Sequence, residues 1–477
     1  MSSPRALTLY RTFPAEVQKK FRRFIESPYF NTRLKLQKLL HFFDTLAAGD
    51  LTWRPAEAAA LVLGDKSQIK ALNNLLSDMN RLLENFIAVE TMQQDTEWKD
   101  AALAKGLEQL GAPVFTQAVL KRKSRRGTDD PFALFHLHKL TDQLHFSSSR
   151  QNSNDALLES QKQLTIYYLT WQLKTWCELL NRSHILALDY EKDAVEIFRQ
   201  ILASASELVA SQAVTKLYDA IFQWMLDQED DTWYTQISGS LFDTLLLTDK
   251  DDAKEICAYI QNYCVKRINE GNPAFLQELF RLFQFMIQQK LILEGQQISQ
   301  WTYKNIVTVG LRLKAFSETE SFIHEWYTYL PDEVRDNAYH YNLAAFYYET
   351  HHYTKASKLL NRVQFTDPVY YLDSYTILMK IYFEEAAGEA LASLKDTVRI
   401  YLLRQKNVSR QQVQLYNNLF RLTLRLFHLR YTAAHLSVEE WQKRRERLQE
   451  EIHRNNNIAN KAWLLQQLDM LINRASG

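Results

Sequence analysis

The chain has 477 residues, 46% hydrophobic and 24% charged, which excludes wholesale disorder and leaves room for two or three domains or one extended array. Eleven glycines and nine prolines fall far below the roughly 7% and 5% of average usage, which argues against a turn-rich sheet protein and for long helices with short connections. The formal net charge is +1, but residues 1–127 hold 20 Lys/Arg against 13 Asp/Glu, and the first 39 residues hold nine basic and two acidic side chains.

Residues 1–126 read as a basic N-terminal helical domain. Two helices are expected over 5–48. In the first, Val17, Phe21, Phe24 and Ile25 recur at helical spacing, with Lys19, Lys20, Arg22 and Arg23 on the other face. Pro28 in SPYFN disfavours helix at Ser27, and Leu34, Leu36, Leu39, Leu40, Phe42 and Phe43 begin the second. Further helices are expected near 55–62, over 67–90, and over 96–110 with an end near Gly111. The run KRKSRRGTDDP (121–131) combines basic residues, a Gly, an acidic pair and a Pro, and the main boundary is placed there.

Residues 127–302 read as an irregular array of helical hairpins. Helices over 132–146 and 156–181 are joined by the polar stretch SSSRQNSND (147–155), and the second carries Tyr167, Tyr168, Trp171 and Trp176. From 190 onward, helices of about 12–20 residues alternate with short breaks such as DQEDD (227–231), LTDKDD (247–252), EGNP (270–273) and LPDEVRD (330–336). The segment 275–292 is apolar on nearly every face and must be covered on both sides. A final helix is expected over 438–474, with Ser437 and Glu440 fitting a capping box at its start.

Self-comparison finds a repeat between 303 and 402. Leu343, Ala344, Tyr347, Ala356 and Leu360 are followed 34 residues later by Ile377, Leu378, Ile381, Ala390 and Leu394. They are preceded by Val309, Gly310 and Leu313, then Phe322 and Trp326. This period, with a small residue at the helix–helix contact, resembles the tetratricopeptide (TPR) repeat. The middle copy, 337–368, carries Leu343-Ala344, Tyr347, Tyr353, Ala356, Leu360 and Pro368 at the family's spacing. The first copy has Phe322 where a small residue is usual, and the third has Leu402 where the closing Pro belongs. The resemblance covers about a fifth of the chain. It implies an all-α fold, a TPR-like α-solenoid of helical hairpins, with 403–477 as capping helices. FIESPYFN and LNNLLSDMNRLLENF are also similar to segments of uncharacterised bacterial helical proteins, a likeness that carries no function.

The search for chemistry returns little. The glycines form neither GxGxxG nor GxxxxGK, and Ser238-Gly239-Ser240 lacks the flanking glycines of a nucleophile elbow. His136 and His138, His324-Glu325 and His351-His352 lack ligand spacing. Cys177, Cys257 and Cys264 read as buried apolar residues, and Glu229-Asp230-Asp231 and Asp249-Asp251-Asp252 as helix caps. No cofactor or metal is expected. The N-terminus lacks a signal-peptide core and no run of 18 apolar residues occurs, so no membrane partner and a cytoplasmic location are expected.

The function expected is a non-catalytic protein-interaction scaffold or adaptor. The family's inner-face positions fall on Lys304, Val307, Leu311 and Lys314, then Tyr341, Ala345, Tyr348 and Glu349, then Leu372, Tyr375, Met379, Tyr382 and Phe383. Of the clamp that some TPR proteins use for a C-terminal carboxylate, only Asn342 matches. The resemblance therefore implies an open groove that takes an apolar or aromatic segment of a protein or peptide, with Tyr341, Asn342, Tyr348, Tyr375, Met379 and Tyr382 as contacts. The alternative is a nucleic-acid-associated regulator. Lys19, Lys20, Arg22, Arg23, Lys121, Arg122, Lys123, Arg125 and Arg126 would then meet phosphates in weak, salt-dependent binding.

Overall fold

Few residues in this sequence can break a helix, and the computed structural model of the chain is all-helical accordingly. Described are residues 3–48, 52–126, 130–148, 154–186, 188–227, 234, 239, 241–246, 248–363, 368–405, 408–431 and 436–475. Among them lie 24 α-helices, one short 3-10 turn and a two-residue hairpin. The expected cap Glu229-Asp230-Asp231 and the Ser238–Ser240 pair lie outside the described residues. The chain divides into two compact units, 1–233 and 234–477.

In the first unit, α1 (Arg5–Arg11), α2 (Ala15–Glu26), α3 (Leu34–Ala48), α4 (Pro55–Leu63) and α5 (Ile69–Gln94) enclose one aromatic core. Residues 5–48 thus hold three helices rather than the two expected. Pro14, extended at ψ 156°, restarts the chain after Phe13. Phe21 and Phe86 meet edge-on at 5.2 Å. Fully buried Tyr10 donates its hydroxyl to Asp44 Oδ1 at 2.6 Å, while Arg22 donates to Asp44 Oδ2 at 2.8 Å.

Two further helices, α6 (Thr96–Gln109) and α7 (Pro113–Arg126), turn at Gly111, whose φ of +67° suits glycine. Asp130 then caps α8 (Pro131–Ser148) by accepting from Phe132 N and Ala133 N. The longest helix, α9 (Asp155–Leu186), packs on α8 and on α12 (Ala213–Leu226), with α10 (Lys192–Ser204) and α11 (Ser206–Ala210) between α9 and α12 in sequence. Residues 121–126 of the charged run are the last turns of α7 and Pro131 begins α8, both in the first unit.

The second unit opens with α13 (Leu241–Leu245) and α14 (Lys250–Asn269). Asp249 caps α14 by accepting from the amides of Asp251 and Asp252, as the acid cluster implied. The apolar helix α15 (Ala274–Gln288) stops four residues short of its expected end. Lys290 takes a positive φ, and a hairpin of Leu293–Glu294 with Gln297–Ile298 turns through Gly295 at φ +65°.

Then come α16 (Gln300–Arg312), α17 (Phe316–Trp326), α18 (Asp332–Glu349), α19 (Tyr353–Leu360), α20 (Pro368–Glu384), α21 (Gly388–Arg404) and α22 (Arg410–Tyr431). The expected single helix at the end is two, α23 (Val438–Arg454) and α24 (Lys461–Ala475). The asparagine run between them explains the correction. Asn455 Oδ1 accepts from Asn457 N at 2.8 Å, an Asx turn that competes with helix, and Asn460 sits at φ 48°. Half of the expected capping box at Ser437 forms: its Oγ accepts from Glu440 N, while Glu440 turns to Arg444.

Each odd step in this ladder packs on the next helix and the next but one: α16 on α17 and α18, α18 on α19 and α20, α20 on α21 and α22, α22 on α23 and α24. At the first of these contacts a Cβ on Gly310 would lie 2.1 Å from Thr319 Oγ1, so only glycine fits. The equivalent Ala344, 34 residues on, is fully buried.

Candidate functional site

Most of the positions expected to line a groove are core positions; Lys314 and Glu349 are exposed. Tyr341, Asn342 and Met379 are buried, and Tyr348, Tyr375 and Tyr382 are half-buried against the same cluster. Val307, Leu311, Leu372 and Phe383 are buried too. Asn342 Nδ2 donates to Ala338 O at 2.7 Å and its Oδ1 has no hydrogen-bond partner. Tyr375 stacks on Tyr371 at 4.3 Å, and Tyr371 on Tyr401. The open aromatic groove is therefore corrected to a filled one, and the filling is identifiable.

Tyr341 is covered by Tyr370 and Tyr375 by Tyr371, whereas at Tyr348 and Phe383 what fills it is α24. The ring of Trp463 lies 5.3 Å from Phe383, edge-on. The ammonium of Lys380 sits 5.8 Å from the Tyr348 ring and 5.7 Å from the Trp463 ring, and donates to Asn460 Oδ1 at 3.3 Å. Burial lowers the Lys380 pKa, opposed by Glu349 and Asp373. Burial likewise raises the Tyr348 phenol, with Glu349 and Glu384 adding to it. At the next turn Gln467 Nε2 donates to Glu384 Oε1 at 2.9 Å, and Arg430 bridges Gln467 at 2.7 Å and Glu384 at 3.4 Å. Leu464 and Leu468, fully buried, complete the contact face.

A second polar cluster lies deeper in the unit. Lys304 of α16 ion-pairs with Asp373 of α20, and its ammonium is 5.2 Å from the Tyr370 ring, 5.3 Å from Tyr341 and 5.9 Å from Trp301. The Tyr416 phenol lies near Asp373, and burial with that carboxylate raises it. Tyr341 is pushed well above its ordinary value, chiefly by burial. These groups satisfy one another within the chain.

Of the nine expected phosphate contacts, four are committed elsewhere. Lys19 pairs with Glu16 at 2.8 Å, Lys20 with Glu90 at 2.6 Å, Arg22 with Asp44 at 2.8 Å and Arg122 with Asp100 at 2.9 Å. Arg23 and Lys121 are exposed. The side chains of Lys123, Arg125 and Arg126 lie outside the described residues. Surface pairs like these contribute little to stability, but each lowers the charge that a phosphate would meet.

Cys177, Cys257 and Cys264 are buried, and burial pushes the Cys257 and Cys264 thiols up to about 12. Among the described residues no group of three or more His, Cys, Asp or Glu is placed to hold a metal ion, and no helix is long and apolar enough to cross a membrane. No protein-family model, curated protein or solved structure matches the chain.

Sequence reading missed Lys380, Trp463 and Gln467. Lys380 looks like a solvated charge and Trp463 like core, and their partnership spans some eighty positions. The only signal was the composition of KAWLLQQLDML, with its apolar residues at helical spacing.

Proposed function

We propose that the chain is a non-catalytic protein-interaction scaffold whose second unit is a TPR-like array that receives amphipathic helices. The observation that carries this reading is the seat of α24. Inner-face positions picked out by the 34-residue repeat, Tyr348 and Phe383 among them, already grip a helix through an aromatic anchor, Trp463. This is the helix-in-groove mode of recognition, with anchors on two successive turns at Trp463, Leu464, Gln467 and Leu468. The ladder of contacts from α16 to α24 supports the array reading, as does the glycine-only contact at Gly310. The strongly shifted thiols and phenols support a structural role, since burial is the main cause of each shift.

The test displaces α24 without touching its seat. Leu464→Glu with Leu468→Glu in the full chain removes the apolar face of α24 only. A labelled peptide spanning 456–477 is then titrated in. The variant should bind the peptide, and the parent chain should not, because its own helix competes at high effective concentration. A variant that keeps its helical spectrum and fails to bind the peptide overturns the reading.

A further inference from the structure

The outward face of α9 carries an apolar stripe with nothing of its own unit upon it. Leu157, Leu164, Tyr168, Trp171, Leu179 and Leu186 recur at spacings of three, four or seven to eight along one side of the helix, and Leu158 and Ile185 widen the stripe at its ends. These eight side chains are 42–63% exposed. The opposite face, Ile166, Leu169, Leu173, Cys177 and Leu180, is buried against the unit. At roughly 200 Å² for a free large side chain, the stripe offers about 800 Å² of apolar surface. The largest apolar patch of an ordinary monomer is about 300–600 Å². A standard interface takes about 800 Å² from each partner.

Thr175 and Gln161, two of the polar positions inside the stripe, do not oppose drying it. Thr175 donates its hydroxyl back to Trp171 O at 2.9 Å, which turns its methyl outward, and the Gln161 amide donates to Thr165 Oγ1 at 3.1 Å. We propose that α9 is the dimer interface of this chain, pairing antiparallel with α9 of a second copy about an axis near Trp171.

Symmetry and charge select this occupant and this direction. Crossed antiparallel, the stripe maps onto itself: Leu157 opposes Leu186 of the second copy, Leu164 opposes Leu179, Tyr168 opposes Thr175, and Trp171 lies beside its counterpart. Arg182 lies within the stripe, three residues after Leu179, and in this direction it opposes Gln161 of the second copy, a neutral acceptor. A parallel pairing would set Arg182 on Arg182. A membrane-surface helix would carry a basic polar face, whereas here acids and bases balance. Like-on-like pairing of one self-complementary patch is how two-fold dimers form.

The experiment is sedimentation equilibrium on the full chain with engineered cysteines as a second readout. The parent should run at twice 56.1 kDa at micromolar concentration. Leu164→Glu with Trp171→Glu should run at the monomer mass with an unchanged helical spectrum. Both side chains point to solvent, so their loss leaves no core cavity. Under mild oxidation Trp171→Cys should form a cross-linked dimer, the native cysteines being buried. Leu157→Cys alone should not, since its copies would lie about 40 Å apart, while mixed Leu157→Cys and Leu186→Cys chains should. A monomeric parent overturns the proposal, including one that instead binds vesicles or another protein through this face. So does a dimer that survives both glutamates, or a Leu157→Cys chain that cross-links to itself. None of these results bears on the peptide titration in the second unit.

Discussion

Trp463 of the terminal helix and Phe383 of α20 meet edge-on, with ring centroids 5.3 Å apart, across eighty residues of intervening chain. Edge-to-face pairs of this kind add about 1 kcal/mol beyond the area they bury. Trp463 also stands under the Lys380 ammonium and beside Tyr348. It is therefore one residue through which α24 is held to the layer beneath it. Trp463→Ala should destabilise the second unit by about 2–3 kcal/mol, read as a lower denaturant midpoint. Trp463→Phe, which keeps the ring contact and loses the indole N–H, should recover at least half of that loss.

Gly310→Ala sets two effects against each other. Alanine is the better helix former by about 1 kcal/mol. Its Cβ would fall 2.1 Å from Thr319 Oγ1, and that hydroxyl is held by a 2.6 Å hydrogen bond to Ala315 O. The clash should win, with a net loss of about 1–3 kcal/mol. Adding Thr319→Ala removes the clashing atom and leaves Cβ at 3.3 Å. The double variant should therefore be more stable than Gly310→Ala alone, a non-additivity that chemical denaturation measures directly.

The helices were legible because their signals are local. Pro28, Gly111, Asp249 and Ser437 each act within a few residues of themselves, and three of the four helix boundaries they imply fall where expected to within a residue or two. The 34-residue spacing was legible for the same reason: Gly310 and Ala344 are small because a neighbouring helix is close. What covers Tyr341 and Tyr348 was not legible. An inner-face tyrosine that meets a ligand and one that meets a distant helix of its own chain have the same spacing. The break at 455–460 was missed because asparagine is tolerated on a helix surface, and only the Asx turn at Asn455 shows that it stops one. The outward stripe of α9 was hidden by its opposite. A helix apolar on two faces reads as buried on both, and only exposure at Trp171 distinguishes them.

His340 gives the chain a pH dependence with a defined sign. It is half-buried in α18 and its Nδ1 has no hydrogen-bond partner. Burial lowers its pKa below the ordinary 6.5, Arg362 lowers it further and Asp336 opposes. The folded state thus binds this proton less readily than the unfolded chain. Its contribution is fully present above the unfolded value and is lost as pH falls below 6.5 through the depressed folded value. The denaturant midpoint should fall from about pH 7.5 to 5.5, and His340→Gln should flatten that slope in the second unit. His136, lowered chiefly by burial, acts with the same sign in the first unit.

The Lys304–Asp373 pair allows the sharpest comparison, because its two members are supported differently. Their side chains are 13% and 26% exposed, so each has given up much of its hydration. Removing one partner of such a pair costs more than replacing both, since a charge is left without its counter-ion. If Lys304 is removed, Asp373 keeps the Tyr416 phenol as a neighbour and has some access to water. If Asp373 is neutralised, Lys304 is left among Tyr341, Tyr370 and Trp301. Those rings attract a desolvated cation by about 1–2 kcal/mol each, but they accept no strong hydrogen bond from an ammonium. Asp373→Asn should therefore destabilise by about 2–3 kcal/mol and Lys304→Met by about 1 kcal/mol. Lys304→Met with Asp373→Leu replaces the pair by apolar groups between rings already buried, and should be no less stable than Lys304→Met alone. Urea denaturation of the four chains completes the cycle. Equal costs for the two single variants would mean that the rings and Tyr416 support the charges equally, contrary to the geometry.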